Sequence, residues 1–197
     1  MIRSLFHRSR DRALSLSLSP IAREIVKRHL TTLTPQKILN LEQTMKALDR
    51  DGVSGDVVEC GLNQGGSAVL LALLAKPERR FLGFGTESGM ESVMATFRAM
   101  GVDVDGRAVA LRALAPKTPP DIEPKRTIAL AHINCDWPSA RQCLEAMASR
   151  LGSGGFFVLD DHNQPERCAE IVGNFLAKRR EFSLVTAKAH TMMMRNA

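Results

Sequence analysis

The chain predicts an α/β fold: a mostly parallel sheet with helices on both faces and an antiparallel hairpin at its end. Three observations carry this. From residue 34 onward, short apolar runs alternate with stretches whose apolar residues recur at helical spacing, the order that builds parallel sheets through crossover helices. The first apolar run, Asp56-Val57-Val58-Glu59-Cys60, ends in the glycine-rich turn Gly61-Leu62-Asn63-Gln64-Gly65-Gly66, which opens a helix at Ser67. The last two runs, 182–187 and 190–195, lie close enough to form a hairpin around Lys188-Ala189.

At 197 residues, 44% hydrophobic and 24% charged, the chain fits one globular domain with a sizeable core. No apolar run approaches the roughly 20 residues of a membrane span, and charges interrupt the N-terminus where a signal peptide needs an apolar centre. A cytoplasmic protein is expected. Residues 1–40 carry eight Lys and Arg against Asp11 and Glu24, while the remainder carries nineteen of each sign, so the net +6 belongs to the leader. The expected organisation is a basic leader with a helical segment over 1–33 and the main domain over 34–197. A basic arm can touch nucleic acid or an anionic surface, or remain a solvated leader. With 5% aromatic residues and no Tyr, a base-stacking surface is not expected. Cys60, Cys135, Cys143 and Cys168 have no C-x-x-C spacing and no zinc-finger histidines, so free, buried or half-buried thiols are expected.

The elements follow in order. A short helix is read over 20–30. Thr34 caps a stronger helix that has Pro35 at its first position, apolar residues Ile38, Leu39, Leu41, Met45 and Leu48, and a stop at Asp51-Gly52. Strands are expected at 56–60, 81–84, 107–111, 128–134 and 156–160, then the hairpin. Helices are expected at 67–75, 91–100, 139–151 and 166–180. A proline-rich connection spans 116–124, and Gly152-Ser153-Gly154-Gly155 is read as the end of a helix.

Parallel strands place their carboxyl ends at one edge, where ligands of such folds bind. Three sequences fall there: Glu59-Cys60-Gly61, His132-Ile133-Asn134-Cys135-Asp136-Trp137 and Asp160-Asp161-His162-Asn163. The glycine spacing is not G-x-G-x-x-G. An acidic residue just ahead of the first glycine suits a cationic ligand at a nucleotide-type site, although a merely tight βα turn reads the same way. The adjacent Asp160 and Asp161 repel unless a cation sits nearby; they either hold a divalent ion with Asn134 or cap the following loop and helix. His132 shares a face with Asn134 by strand alternation and reads as a packed histidine rather than a ligand. His162 is open to both readings, and Trp137 and Pro138 are expected to start a helix and wall a pocket.

These strings, together with Ser54-Gly55-Asp56-Val57-Val58-Glu59, Gly65-Gly66-Ser67, Gly154-Gly155-Phe156-Phe157-Val158-Leu159-Asp160-Asp161 and the lead-in Thr34-Pro35-Gln36-Lys37-Ile38-Leu39-Asn40-Leu41, resemble the macrocin O-methyltransferase family from about residue 33 to 175. The resemblance implies a Rossmann-like class I methyltransferase fold with a seven-stranded sheet. It also implies S-adenosylmethionine as cofactor, magnesium or another divalent cation, a sugar or natural-product hydroxyl as acceptor, and a homodimer. Glu59, Gly61, Gly65 and Ser67 correspond to the cofactor turn, with Glu87 as a stand-in for the ribose-binding acid. Asn134, Asp160 and Asp161 correspond to metal ligands, and Asp136 to the general base. The sequence departs from the family at Gly85, where an acid is usual, at Asn134, where aspartate is usual, and at Ala113-Leu114-Ala115 near the adenine. A non-catalytic binding or scaffold relative is therefore the second expectation, and an RNA methyltransferase with the leader as its arm the third.

Overall fold

The computed structural model describes residues 16–104, 109–113, 126–160 and 164–196. Seven strands form a single sheet in the order β3-β2-β1-β4-β5-β7-β6: β1 (Asp56–Cys60), β2 (Phe81–Gly85), β3 (Val109–Ala113), β4 (Ile128–Ile133), β5 (Leu151–Leu159), β6 (Phe182–Ala187) and β7 (Thr191–Arg195). The first five run parallel, and β7 enters antiparallel between β5 and β6. The expected architecture is the observed one.

Strand alternation sorts the core into two layers. Val57, Phe81, Leu130, Val158 and Met192 face α1 (Pro20–Lys27), α2 (Pro35–Arg50), α3 (Gly66–Leu74) and α4 (Met90–Ala99). Val58, Leu82, Ala131, Phe157 and Met193 face α5 (Trp137–Ala148) and α6 (Pro165–Lys178). Helix α2 begins as read, with the Thr34 hydroxyl accepting from the Lys37 N–H and Pro35 in the first turn. Its Ile38, Leu41, Met45 and Leu48 are at most 2% exposed. At roughly 1.5–3 kcal/mol for each such side chain, this stripe, rather than any polar contact, fixes the helix on the sheet.

One expectation is corrected. Gly152-Ser153-Gly154-Gly155 does not end a helix; α5 stops at Ala148 and the four residues lie inside β5. Ile128 pairs with Leu151, whereas Leu130 pairs with Phe156, so β5 bulges out between them. Gly154 takes φ +75°, and a Cβ on Gly155 would stand 3.0 Å from the Ala129 carbonyl oxygen. The glycines serve a bulge that a strand pattern alone does not announce. The connection 116–124 lies outside the described residues.

Candidate active site

The strand order reverses direction between β1 and β4, and the crevice of a doubly wound sheet opens at such a point. Here the two strand ends touch. The Asn134 N–H donates to the Cys60 carbonyl at 2.7 Å. A Cβ on Gly61, which has φ +95°, would lie 2.1 Å from the Asn134 carbonyl oxygen. The Asn63 amide bridges the Gly61 and Asn134 carbonyls at 3.3 and 3.2 Å. Gly61 is thus required by contact between two backbones of the chain itself. Gly66 is similar: a Cβ there would sit 2.4 Å from the Leu30 carbonyl oxygen, which accepts the Gly66 N–H. Gly65, with φ +87°, is the N-cap of α3.

Beneath this turn Glu59 is fully buried. Its Oε1 accepts from the Ser67 hydroxyl at 2.6 Å and lies 2.9 Å from His132 Nδ1. Its Oε2 has no hydrogen-bond partner among the described residues. His132 is the packed histidine expected from the sequence, although it packs against an acid rather than inside an apolar layer. Its ring meets His190 edge-on, with centroids 5.5 Å apart. His190 is 1% exposed and neither of its ring nitrogens has a hydrogen-bond partner among the described residues. Burial foremost, then the neighbouring His132, pushes its pKa down to about 3; Lys37 adds to this and Asp160 opposes it. His190 was not among the expected site residues. A lone histidine in a hairpin turn gives no signal until the turn folds back on the sheet.

Asp160 leaves β5 on the same face and is 6% exposed. It does not cap α6, whose N-cap is Gln164. Its Oδ1 is ion-paired with Lys37 Nζ from the first turn of α2, both side chains being nearly buried. Asp161 and His162 lie outside the described residues. Asn134 is buried at the end of β4, and Asp136 is exposed two residues on, where its Oδ1 accepts the Ser139 N–H and caps α5. Trp137 starts α5 as expected, and its indole N–H donates to Gln164. Glu87 is exposed in a short 3₁₀ turn (Glu87–Gly89) beyond β2. At Gly85 the neighbouring space is filled by Leu62, whose Cδ1 would be 3.2 Å from an added Cβ. Among the described residues no group of three or more His, Cys, Asp and Glu side chains is arranged to hold a metal ion.

The cysteines are free as expected, with Cys135 half-buried and the others buried. The Cys143 thiol beside it, then burial, push the Cys135 thiol well above its ordinary range, which leaves it a poor nucleophile.

Beside the crevice, a groove of about 620 Å³ runs between α2 and the β6–β7 hairpin, walled by Gln36, Asn40, Thr44, Lys188, Phe156 and Met192. It starts one residue from Lys37 on the helix and one from His190 in the turn.

A family model described as a methyltransferase domain matches residues 58–162, more than half of the chain. The chain belongs to the methyltransferase-domain family. The matched segment runs from β1 through the end of β5 and includes each strand end just described. No curated protein matches the chain. Among solved structures, this methyltransferase domain is similar to the O-methyltransferase NovP, with 18% identity over 80% of this chain and 78% of the other and a TM-score of 0.65. It is similar also to the O-methyltransferase TomG of Streptomyces achromogenes, solved with S-adenosylmethionine, at 17% identity over 91% of each chain and a TM-score of 0.60. A third is an O-methyltransferase from Bacillus cereus in complex with S-adenosylhomocysteine, at 14% identity over 96% and 97% and a TM-score of 0.67. At such identities the likeness speaks for the fold. The expected class I methyltransferase architecture is therefore found.

Proposed function

We propose that the chain is an S-adenosylmethionine-dependent O-methyltransferase acting on a hydroxyl of a small molecule of sugar or natural-product type. The observation that carries this is Glu59 below the glycine turn: a fully buried carboxylate with one oxygen unpartnered, at the crevice where this fold takes its ligand. A buried acceptor without a partner is costly, and a cationic ligand group relieves that cost. Glu59, Gly61, Gly65 and Ser67 would hold the methionine end of the cofactor, and Glu87 would serve the ribose. When bound, S-adenosylmethionine supplies an activated methyl group on a sulfonium. Two of the three solved relatives named above were crystallised with this cofactor or its product, which supports the reading.

The chain's own residues supply the rest. Asp136, exposed at the mouth of the crevice, is the general base for the acceptor hydroxyl. The groove beside α2 offers amides, hydroxyls and one ammonium over an apolar floor of Phe156 and Met192, a lining suited to a polyhydroxylated acceptor. Of the three expected metal ligands, Asp161 lies outside the described residues. The Asp160 carboxylate is engaged by Lys37, and Asn134 brings no charge. No catalytic step is assigned to a metal.

Calorimetry with S-adenosylhomocysteine tests the reading. Binding in the micromolar range, unchanged by EDTA, is expected. No heat at millimolar ligand overturns it in favour of the non-catalytic relative, which the Leu62 packing at Gly85 favours.

A further inference from the structure

Resting on the reading that Glu59 holds the methionine end of the cofactor, we infer that His132 is a positioning residue: its Nδ1–H fixes Glu59 Oε1 and so keeps Oε2 for the cofactor's α-ammonium group. The two residues are register partners on adjacent parallel strands, Glu59 on β1 and His132 on β4. Each lies two positions ahead of the residue, Gly61 or Asn134, at which the strand ends meet. Such opposed residues present their side chains to one face. Here the contact closes at 2.9 Å, with both side chains fully buried.

The tautomer follows from the surroundings. His132 Nε2 is buried with no hydrogen-bond partner among the described residues. A proton there would be an unmet donor, whereas a proton on Nδ1 meets a carboxylate oxygen. The Ser67 hydroxyl, from the first turn of α3, donates to the same oxygen at 2.6 Å. Two donors from two elements hold the carboxylate against rotation, and the ring of His190, edge-on with centroids 5.5 Å apart, braces the imidazole. With Oε1 engaged on both sides, Oε2 is the oxygen left to accept from a cationic N–H, in a geometry set before the ligand arrives. His132 is 0% exposed and is not among the walls of the groove, so its effect on a ligand passes through Glu59.

Calorimetry on the full chain compares S-adenosylhomocysteine with its desamino analogue, in which hydrogen replaces the α-amino group. The unaltered chain is expected to prefer S-adenosylhomocysteine by at least about tenfold, as a hydrogen bond to a charged group provides. His132→Leu should cut that preference to about twofold or less while binding the desamino analogue as tightly as the unaltered chain does. His132→Asn, whose amide offers an N–H near the place of Nδ1, should keep most of it. Should His132→Leu fail to fold, His132→Gln carries the test: its longer amide reaches the place of Nε2 instead, so it should lose the preference. An equal loss of both ligands in His132→Leu marks a merely structural histidine and overturns the inference. A preference kept by His132→Leu or His132→Gln, or lost by His132→Asn, overturns it as well. If the unaltered chain binds neither ligand, the cofactor reading falls; if it binds both alike, that reading stands and the role of His132 falls.

Discussion

At Gly61 a single hydrogen atom decides whether β1 and β4 can end side by side. A methyl group there would lie 2.1 Å from the Asn134 carbonyl oxygen on a backbone already at φ +95°. Gly61→Ala should cost about 3 kcal/mol or more in urea unfolding, because neither backbone can yield without tearing a strand end. Gly173, within α6, has nothing within 4 Å of an added Cβ, and Gly173→Ala should gain about 0.5–1 kcal/mol. His190 makes the residue-scale case for pH. Its folded pKa near 3 lies below the ordinary 6.5, so the unfolded chain binds the proton that the folded chain refuses. The stability tied to this group is complete above about pH 6.5 and drains away as the pH falls toward 3. A His190→Leu variant should lose roughly 2 kcal/mol less than the unaltered chain between pH 7 and pH 5, read from paired unfolding curves.

At the scale of elements, the start of α2 joins stability to the site. The Thr34 hydroxyl satisfies the Lys37 N–H, and Thr34→Ala should cost about 1 kcal/mol while loosening the turn that carries the lysine. Most elements could be read from the sequence because their signals are local: a cap with proline at Thr34-Pro35, a stop at Asp51-Gly52, apolar runs for the buried strands. The bulged start of β5 could not. Four residues rich in glycine look like a helix terminus, and only pairing with Ile128 and Leu130 on the neighbouring strand draws them into the sheet. The hairpin was read correctly, but not that its turn returns His190 to the buried face of the sheet, since that depends on β7 entering beside β5.

Across the whole molecule, charge secures the edge opposite the site. Asp56 opens β1 and is fully buried, gripped by Arg126 at 2.6 Å and by Arg80 at 3.2 Å from the residues leading into β4 and β2. Burial alone would raise its pKa, but the hydrogen bonds from Arg126 and Arg80 outweigh it and hold the carboxyl below its ordinary range. Its contribution is present above about pH 3.9 and is lost as the pH falls through the lowered value. Asp56→Ala should destabilise by about 1–3 kcal/mol, with an earlier onset of denaturant unfolding, by removing the buried carboxylate that ties the joints of three strands. The sequence by itself determined the layers, the strand directions and the edge where Glu59, Asn134, Asp136 and Asp160 gather, because hydrophobic period and parallel connection are properties of the chain order. It could not determine who partners whom at that edge. Lys37 lies 123 positions from Asp160, Leu62 fills the space at Gly85, and Gly61 answers to a carbonyl of another strand. Each of these is set by how the layers close on one another, since a buried charge or an absent side chain has meaning only through the neighbour that packing brings to it.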